Sequence, residues 1–219
     1  SAVLELADYV CFTGSTATGR FVAQNAGGRL VGASLELGGK NAMYVAEDAN
    51  IAKAVRGAVR ACFSSAGQLC VSIERLYLHE SIADEFLDAF VGEVRALRLS
   101  PDLTFDADMG SLASAAQLER VSAHVEDARS KGALVLAGGR ARPEIGPYFS
   151  EPTILADVQA AMACRDDATF GPVVTVTRVG GGDQATPNAT YDDCGPIRTV
   201  LARGRATKPG RGKIALAAR

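Results

Sequence analysis

The stretch from Tyr9 to Leu37 constrains the fold more than any other. Tyr9-Val10-Cys11-Phe12 is short, apolar and β-prone, and it runs into Thr13-Gly14-Ser15-Thr16. Helical periodicity follows over residues 16–26, with Phe21, Val22 and Ala26 near one face, and Gly27-Gly28 supplies the stop. Residues 30–37 read as a second strand, ended by Gly38-Gly39. Strand, glycine turn, helix and strand in that order form a βαβ-like unit, so the expected fold class is α/β.

The rest of the chain continues the alternation. Residues 41–45 read as a strand, Asp48-Ala49-Asn50 as a cap, and residues 51–65 as a helix with apolar residues at helical spacing. Further strands are expected at 72–78, 134–136, 149–155 and 173–179, and further helices at 81–95 and 112–130. Composition shifts after about residue 179. Residues 180–219 hold seven Lys/Arg against three Asp/Glu, a net +4, which leaves −6 for the remainder of a chain whose total is −2. This tail is rich in Gly, Pro, Thr and Arg, and is expected to be irregular.

Several function classes drop out. A net charge of −2 offers nothing to nucleic acid or an anionic membrane. No apolar run approaches the roughly 18 residues of a membrane span. The first residues lack the basic flank and long apolar core of a signal peptide, and the absence of an initiator Met suggests a start inside a longer product. Five widely spread cysteines form no disulfide framework, and no Cys/His cluster suggests a metal. A reducing, cytoplasmic location fits such cysteine usage.

Two residues carry candidate chemistry. Cys70 lies in Gly67-Gln68-Leu69-Cys70-Val71, beyond a helix. A thiolate is a strong nucleophile, although a free cysteine is more often a small buried hydrophobe. Glu36 lies in Leu35-Glu36-Leu37-Gly38-Gly39-Lys40, at the C-terminal end of a strand, where α/β sheets place functional groups. Burial there would raise its pKa and suit it to take a proton from water; the bland reading is a salt-bridged structural carboxylate. The turn from Phe12 to Gly19 leads into a helix N-terminus and so favours a phosphate, but it is not the ordinary Gly-x-Gly-x-x-Gly fingerprint.

Taken together, these motifs resemble the NAD(P)-dependent aldehyde dehydrogenase superfamily. The resemblance extends to Arg75, to Glu151-Pro152-Thr153-Ile154-Leu155 and to Thr169-Phe170-Gly171-Pro172-Val173, over residues 1 to about 179. The wording around Glu36 and Cys70 is most similar to succinate-semialdehyde dehydrogenases. The resemblance implies that residues 1–37 are the C-terminal part of an NAD(P)-binding domain, 38–179 part of the catalytic domain, and 180–219 a degenerate tail. It implies that Cys70 attacks an aldehyde, that hydride leaves to NAD or NADP, and that Glu36 activates the water that hydrolyses the resulting thioester. Gly14 and Ser15 match positions near the pyrophosphate, Leu37 and Gly38 positions near the nicotinamide, and Phe170 the aromatic that orients it. Lys40 and Arg75 match positions read as structural.

Four departures from the family pattern shape the expectation of activity. The N-terminal half of the cofactor domain, with the second oxyanion donor, is not in the sequence. Ala168 stands where the family has a Glu that binds the nicotinamide ribose. The match decays after Val179 in a manner suggesting frameshifted coding sequence. The sequence stops before the strand through which the family forms homo-oligomers. The expected function is therefore an aldehyde dehydrogenase-family oxidoreductase whose isolated chain is weak or inactive; the alternatives are a non-catalytic remnant, one part of a split assembly, or a nucleotide-binding domain without redox work.

Overall fold

Asn50 and Ser114 show how local sequence sets the elements in this computed structural model, which describes residues 2–104, 106–185, 198–201 and 214–216. Each lies in extended backbone just ahead of a helix, and its side-chain oxygen accepts from an N–H three residues on, at Lys53 and Gln117. The elements run α1 Ala2–Leu6, β1 Tyr9–Gly14, α2 Thr16–Gly28, β2 Gly32–Leu37, β3 Ala42–Val45, α3 Ile51–Phe63, β4 Arg75–His79, α4 Ala83–Ala96, α5 Ala115–Ser130, β5 Leu134–Ala137, β6 Thr153–Ala156, α6 Ala163–Asp166, β7 Val173–Val179, β8 Arg198–Leu201 and β9 Ile214–Leu216. Short 3₁₀ turns follow α3 and precede α4.

The chain divides into two compact units, 1–39 and 40–219. In the N-terminal unit β1 and β2 pair in parallel, with Thr13 opposite Glu36 and Gly14 opposite Leu37. α2 covers this two-stranded sheet through Gly19, Val22 and Ala26. Phe21, expected on that face, is exposed instead, because the buried positions follow the three- and four-residue spacing of a helix and Phe21 falls outside it. The helix takes in both glycines and ends at Gly28, two residues later than expected. Leu30 turns the chain, at φ 58°, so β2 begins at Gly32 instead of residue 30.

The C-terminal unit is built on a seven-stranded sheet in the order β5-β6-β7-β4-β3-β8-β9. All neighbours are parallel except β5 and β6. Val45, Leu76, Leu78, Ile154, Leu155 and Val174 of its strands are buried, together with Phe86 and Phe90 of α4. Strand β4 starts at Arg75 rather than residue 72, because the Glu74 and Arg75 N–H groups both donate to Asn41 O. Tyr148, at φ 68°, likewise delays the expected strand at 149–155, which begins at Thr153. The tail expected to be irregular contains two strands: β8 pairs with β3 and β9 with β8. Of its other residues only 180–185, with a helical turn at 182–185, are described.

Candidate active site

Cys70 sits in a loop whose backbone is held by side chains. Asn41 Nδ2 donates to the Cys70 carbonyl at 2.7 Å and to the Ser72 carbonyl at 2.9 Å. Gln68 reaches the other way: its Oε1 accepts from Ala113 N at 2.8 Å, and its Nε2 donates to Ser65 O. Just upstream, Ser65, Ala66 and Gly67 all have positive φ, at 53°, 56° and 70°. Consecutive left-handed residues cost about 1–2 kcal/mol each unless glycine. Burial of Ala66 and Gly67 helps hold the run in place. A Cβ on Gly67 would lie 2.1 Å from Gly171 O, so only glycine lets the Cys70 loop meet the Phe170-Gly171-Pro172 turn this closely.

The cysteines separate sharply. Cys62 and Cys164 are buried, and burial pushes both thiols up, with the Glu74 charge adding to the effect at each. Those two thiols stay protonated and inert. Cys70 and Cys11 are exposed, and of these Cys70 alone lies in a side-chain-braced loop; Cys194 lies outside the described residues.

Glu36 is not buried as expected. Strand alternation turns Leu35 and Leu37 inward and leaves Glu36 on the open face of β2, exposed. Leu37 packs so tightly on α2 that a Cβ on Gly19 would lie 2.4 Å from Leu37 Cδ2. Among the described residues, a Cβ on Gly38 would meet nothing within 4 Å. Ser15 caps α2, its Oγ accepting from Thr18 N at 3.3 Å. The N-terminal turn of this 13-residue helix, directly after a parallel strand, is a donor set that fits a dinucleotide pyrophosphate. Ala168, by contrast, offers no side-chain acceptor to a ribose.

Phe170 is 38% exposed and takes φ 52°. Among the residues that hold it, Glu74 and Gln117 were not singled out by sequence reasoning. Glu74, 3% exposed, accepts from Thr169 N and Phe170 N, both at 2.9 Å. Lys40 donates to Glu74 Oε2 and, at 3.2 Å, to Thr169 Oγ1. Gln117 Nε2 donates to the carbonyls of Thr169 and Phe170. Arg75 donates to Lys40 O. Lys40 and Arg75 thus take the structural roles expected of them. The available signal for Glu74 was a lone acid ending the uncharged run from Leu69 to Ile73.

A cavity of about 350 Å³ between the end of α4 and β5 includes none of these residues. Among the described residues no group of three or more His, Cys, Asp or Glu could hold a metal, and no helix is long and apolar enough to cross a membrane.

Residues 5–204 match the model of the aldehyde dehydrogenase family, beyond the residue 179 at which the resemblance was expected to decay. A Mycobacterium bovis protein with the provisional name succinate-semialdehyde dehydrogenase [NADP(+)] 2 is 51% identical over 94% of this chain. Betaine aldehyde dehydrogenase 1 of Oryza sativa is 40% identical over 77% of it. The chain spans only 40% and 34% of the length of these relatives. A solved aldehyde dehydrogenase from Bacillus cereus, a point mutant, superposes with a TM-score of 0.91 at 30% identity, over 98% of this chain and 45% of that one. Betaine aldehyde dehydrogenase from Staphylococcus aureus, solved with NAD+, gives 0.85 at 30% identity, over 89% and 39%. The chain belongs to the aldehyde dehydrogenase family.

Proposed function

We propose that this chain carries the reacting thiol and the water-activating carboxylate of an NAD(P)-dependent aldehyde dehydrogenase acting on a small aldehyde, with succinate semialdehyde the first candidate. The observation that carries this reading is the braced, exposed loop of Cys70, set against the buried, protonated thiols of Cys62 and Cys164. Cys70 Sγ adds to the aldehyde carbon, and the backbone N–H of Cys70 donates to the oxygen that becomes negative. The chemistry a bound nicotinamide supplies is acceptance of a hydride. Glu36 takes the proton from the water that later releases the acid from Cys70. Leu37, Gly38, Gly14 and Ser15 line the cofactor side of this chemistry, and Phe170 orients the nicotinamide. NAD and NADP both fit this donor set; the mycobacterial relative's name favours NADP.

Ala168 in place of a carboxylate side chain, together with a sheet of only two strands beside Glu36, supports weak or absent turnover by the isolated chain. The test therefore reads the thiol rather than turnover. Iodoacetamide alkylation, mapped by mass spectrometry, should modify Cys70 while sparing Cys62 and Cys164. Succinate semialdehyde, by forming a reversible hemithioacetal, should protect Cys70 and leave Cys11 unprotected. Equal protection of both, or none at Cys70, would sink the reading. Aldehyde-dependent NADH or NADPH formation that Cys70→Ala abolishes would overturn the low-turnover part alone.

A further inference from the structure

We propose that Glu74 is the positioning residue for the ring of Phe170, through the two backbone N–H groups it holds in the Thr169–Phe170 turn. The inference deepens the reading above and rests on it for its functional meaning, because Phe170 matters as the aromatic beside the nicotinamide.

A non-glycine residue at φ 52° does not hold that conformation by preference. Something must over-determine it. In this turn both edges of the backbone are tied. Glu74 takes the two N–H groups, one on each carboxylate oxygen, and Gln117 takes the two carbonyls, at 2.8 and 2.7 Å. The Phe170 side chain is thus free to face solvent while its backbone is not free to rotate. Each Glu74 oxygen accepts one backbone N–H, and Lys40, itself 2% exposed, donates to Oε2 as its ion-pair partner.

The base of the bracket is equally fixed. Thr175 N donates to Glu74 O at 2.9 Å, so Glu74 is sewn into the edge between β4 and β7 before its side chain reaches across. The same turn carries Ala168, which cannot itself grip a ribose. Orientation of the aromatic then falls to the backbone beneath it, and Glu74 sets that backbone.

The experiment uses the 219-residue chain with 4-fluorophenylalanine and with amide hydrogen exchange. Glu74→Gln keeps the shape but presents an NH₂ to one of the two N–H donors and strips Lys40 of its counter-charge. The double variant Lys40→Met/Glu74→Gln removes that stranded ammonium, so it remains informative where the single variant fails to fold. In either folded variant, exchange at the Thr169 and Phe170 amides should rise by about tenfold or more. The fluorine line of the Phe170 ring should move toward the free amino acid, while those of the buried Phe86 and Phe90 stay in place. Unchanged exchange at 169–170 would overturn the proposal. So would equal loss at β4 and β7, which marks general loosening, or unprotected Thr169 and Phe170 amides in the parent chain. None of these readouts involves aldehyde or cofactor, so their failure is distinguishable from failure of the Cys70 reading.

Discussion

The two units hold the proposed chemistry in different ways. The C-terminal unit buries four phenylalanines, Phe63, Phe86, Phe90 and Phe149, with the Phe86 and Phe90 ring centroids 5.5 Å apart on α4, and has a sheet of seven strands. The N-terminal unit has two strands and a small apolar cluster of Leu4, Val10 and Val22, and it leaves Leu6, Phe21 and Leu30 exposed. Two-stranded sheets are marginal in water, and packing on one short and one longer helix adds little core. In this chain Cys70 therefore lies in the unit with the large core, and Glu36 in the thin one, whose backbone is expected to open more easily.

The strongest way to break this contrast is at Gly67. Alanine there must adopt a positive φ and bring a Cβ within 2.1 Å of a backbone oxygen, which cannot yield as a flexible side chain would. The expected loss is roughly 4 kcal/mol or more, read by urea denaturation of the C-terminal unit. Alkylation of Cys62 should rise with it, since the buried thiol becomes reachable. A Gly67→Ala chain with near-parental stability would show that the Cys70 loop is not braced as described.

A smaller effect sharpens the other side. Val22→Ala removes two methyl groups from the N-terminal cluster, at a cost of about 1.5 kcal/mol. In a unit this thin that is enough to raise hydrogen exchange throughout β1 and β2. The amides of β4 and β7 should not respond. A response in both units alike would mean that they unfold together, and the contrast drawn above would fail.

Legibility in the sequence follows the same division of causes. Periodicity, caps and glycine turns exposed the α/β alternation, and β7 falls where its apolar run predicts, because local patterning alone sets those elements. The motifs around Glu36, Cys70 and Phe170 revealed the family. Other features were hidden for physical reasons. Exposure of Glu36 depends on the phase of strand alternation against α2, which one residue of register reverses. Of the tail strands, β8 is stabilised by pairing with β3 and β9 by pairing with β8, and composition does not register such a distant partner. Glu74 acquires its role only when residues 95 and 96 positions away fold onto it.

The mildest prediction concerns His124, which reports on the rigid side from within. Its Nδ1 lies 3.0 Å from Thr169 Oγ1. Lys40 donates to that hydroxyl, so the hydroxyl's own proton is best placed on a neutral imidazole. Burial, and next the Lys40 charge, hold the His124 pKa below its ordinary 6.5, with Arg120 adding to them and Asp167 and Glu74 opposing. The unfolded chain therefore binds more protons than the folded one in the window below 6.5, so stability rises with pH there. Stability from this source is fully present above about pH 6.5 and is lost as pH falls toward the lower folded value. Asp84, Asp127 and Glu144, whose pKa values are lowered by hydrogen bonds, lose their contributions in the more acidic carboxylate range, which keeps the two effects apart. Urea midpoints of the C-terminal unit measured across this window should climb with pH in the parent and climb less in His124→Gln. Exchange at β1 and β2 should not share the trend, because His124 makes its contact within the C-terminal unit. A slope of the opposite sign, or one that survives His124→Gln unchanged, would show that the imidazole is not held neutral against Thr169.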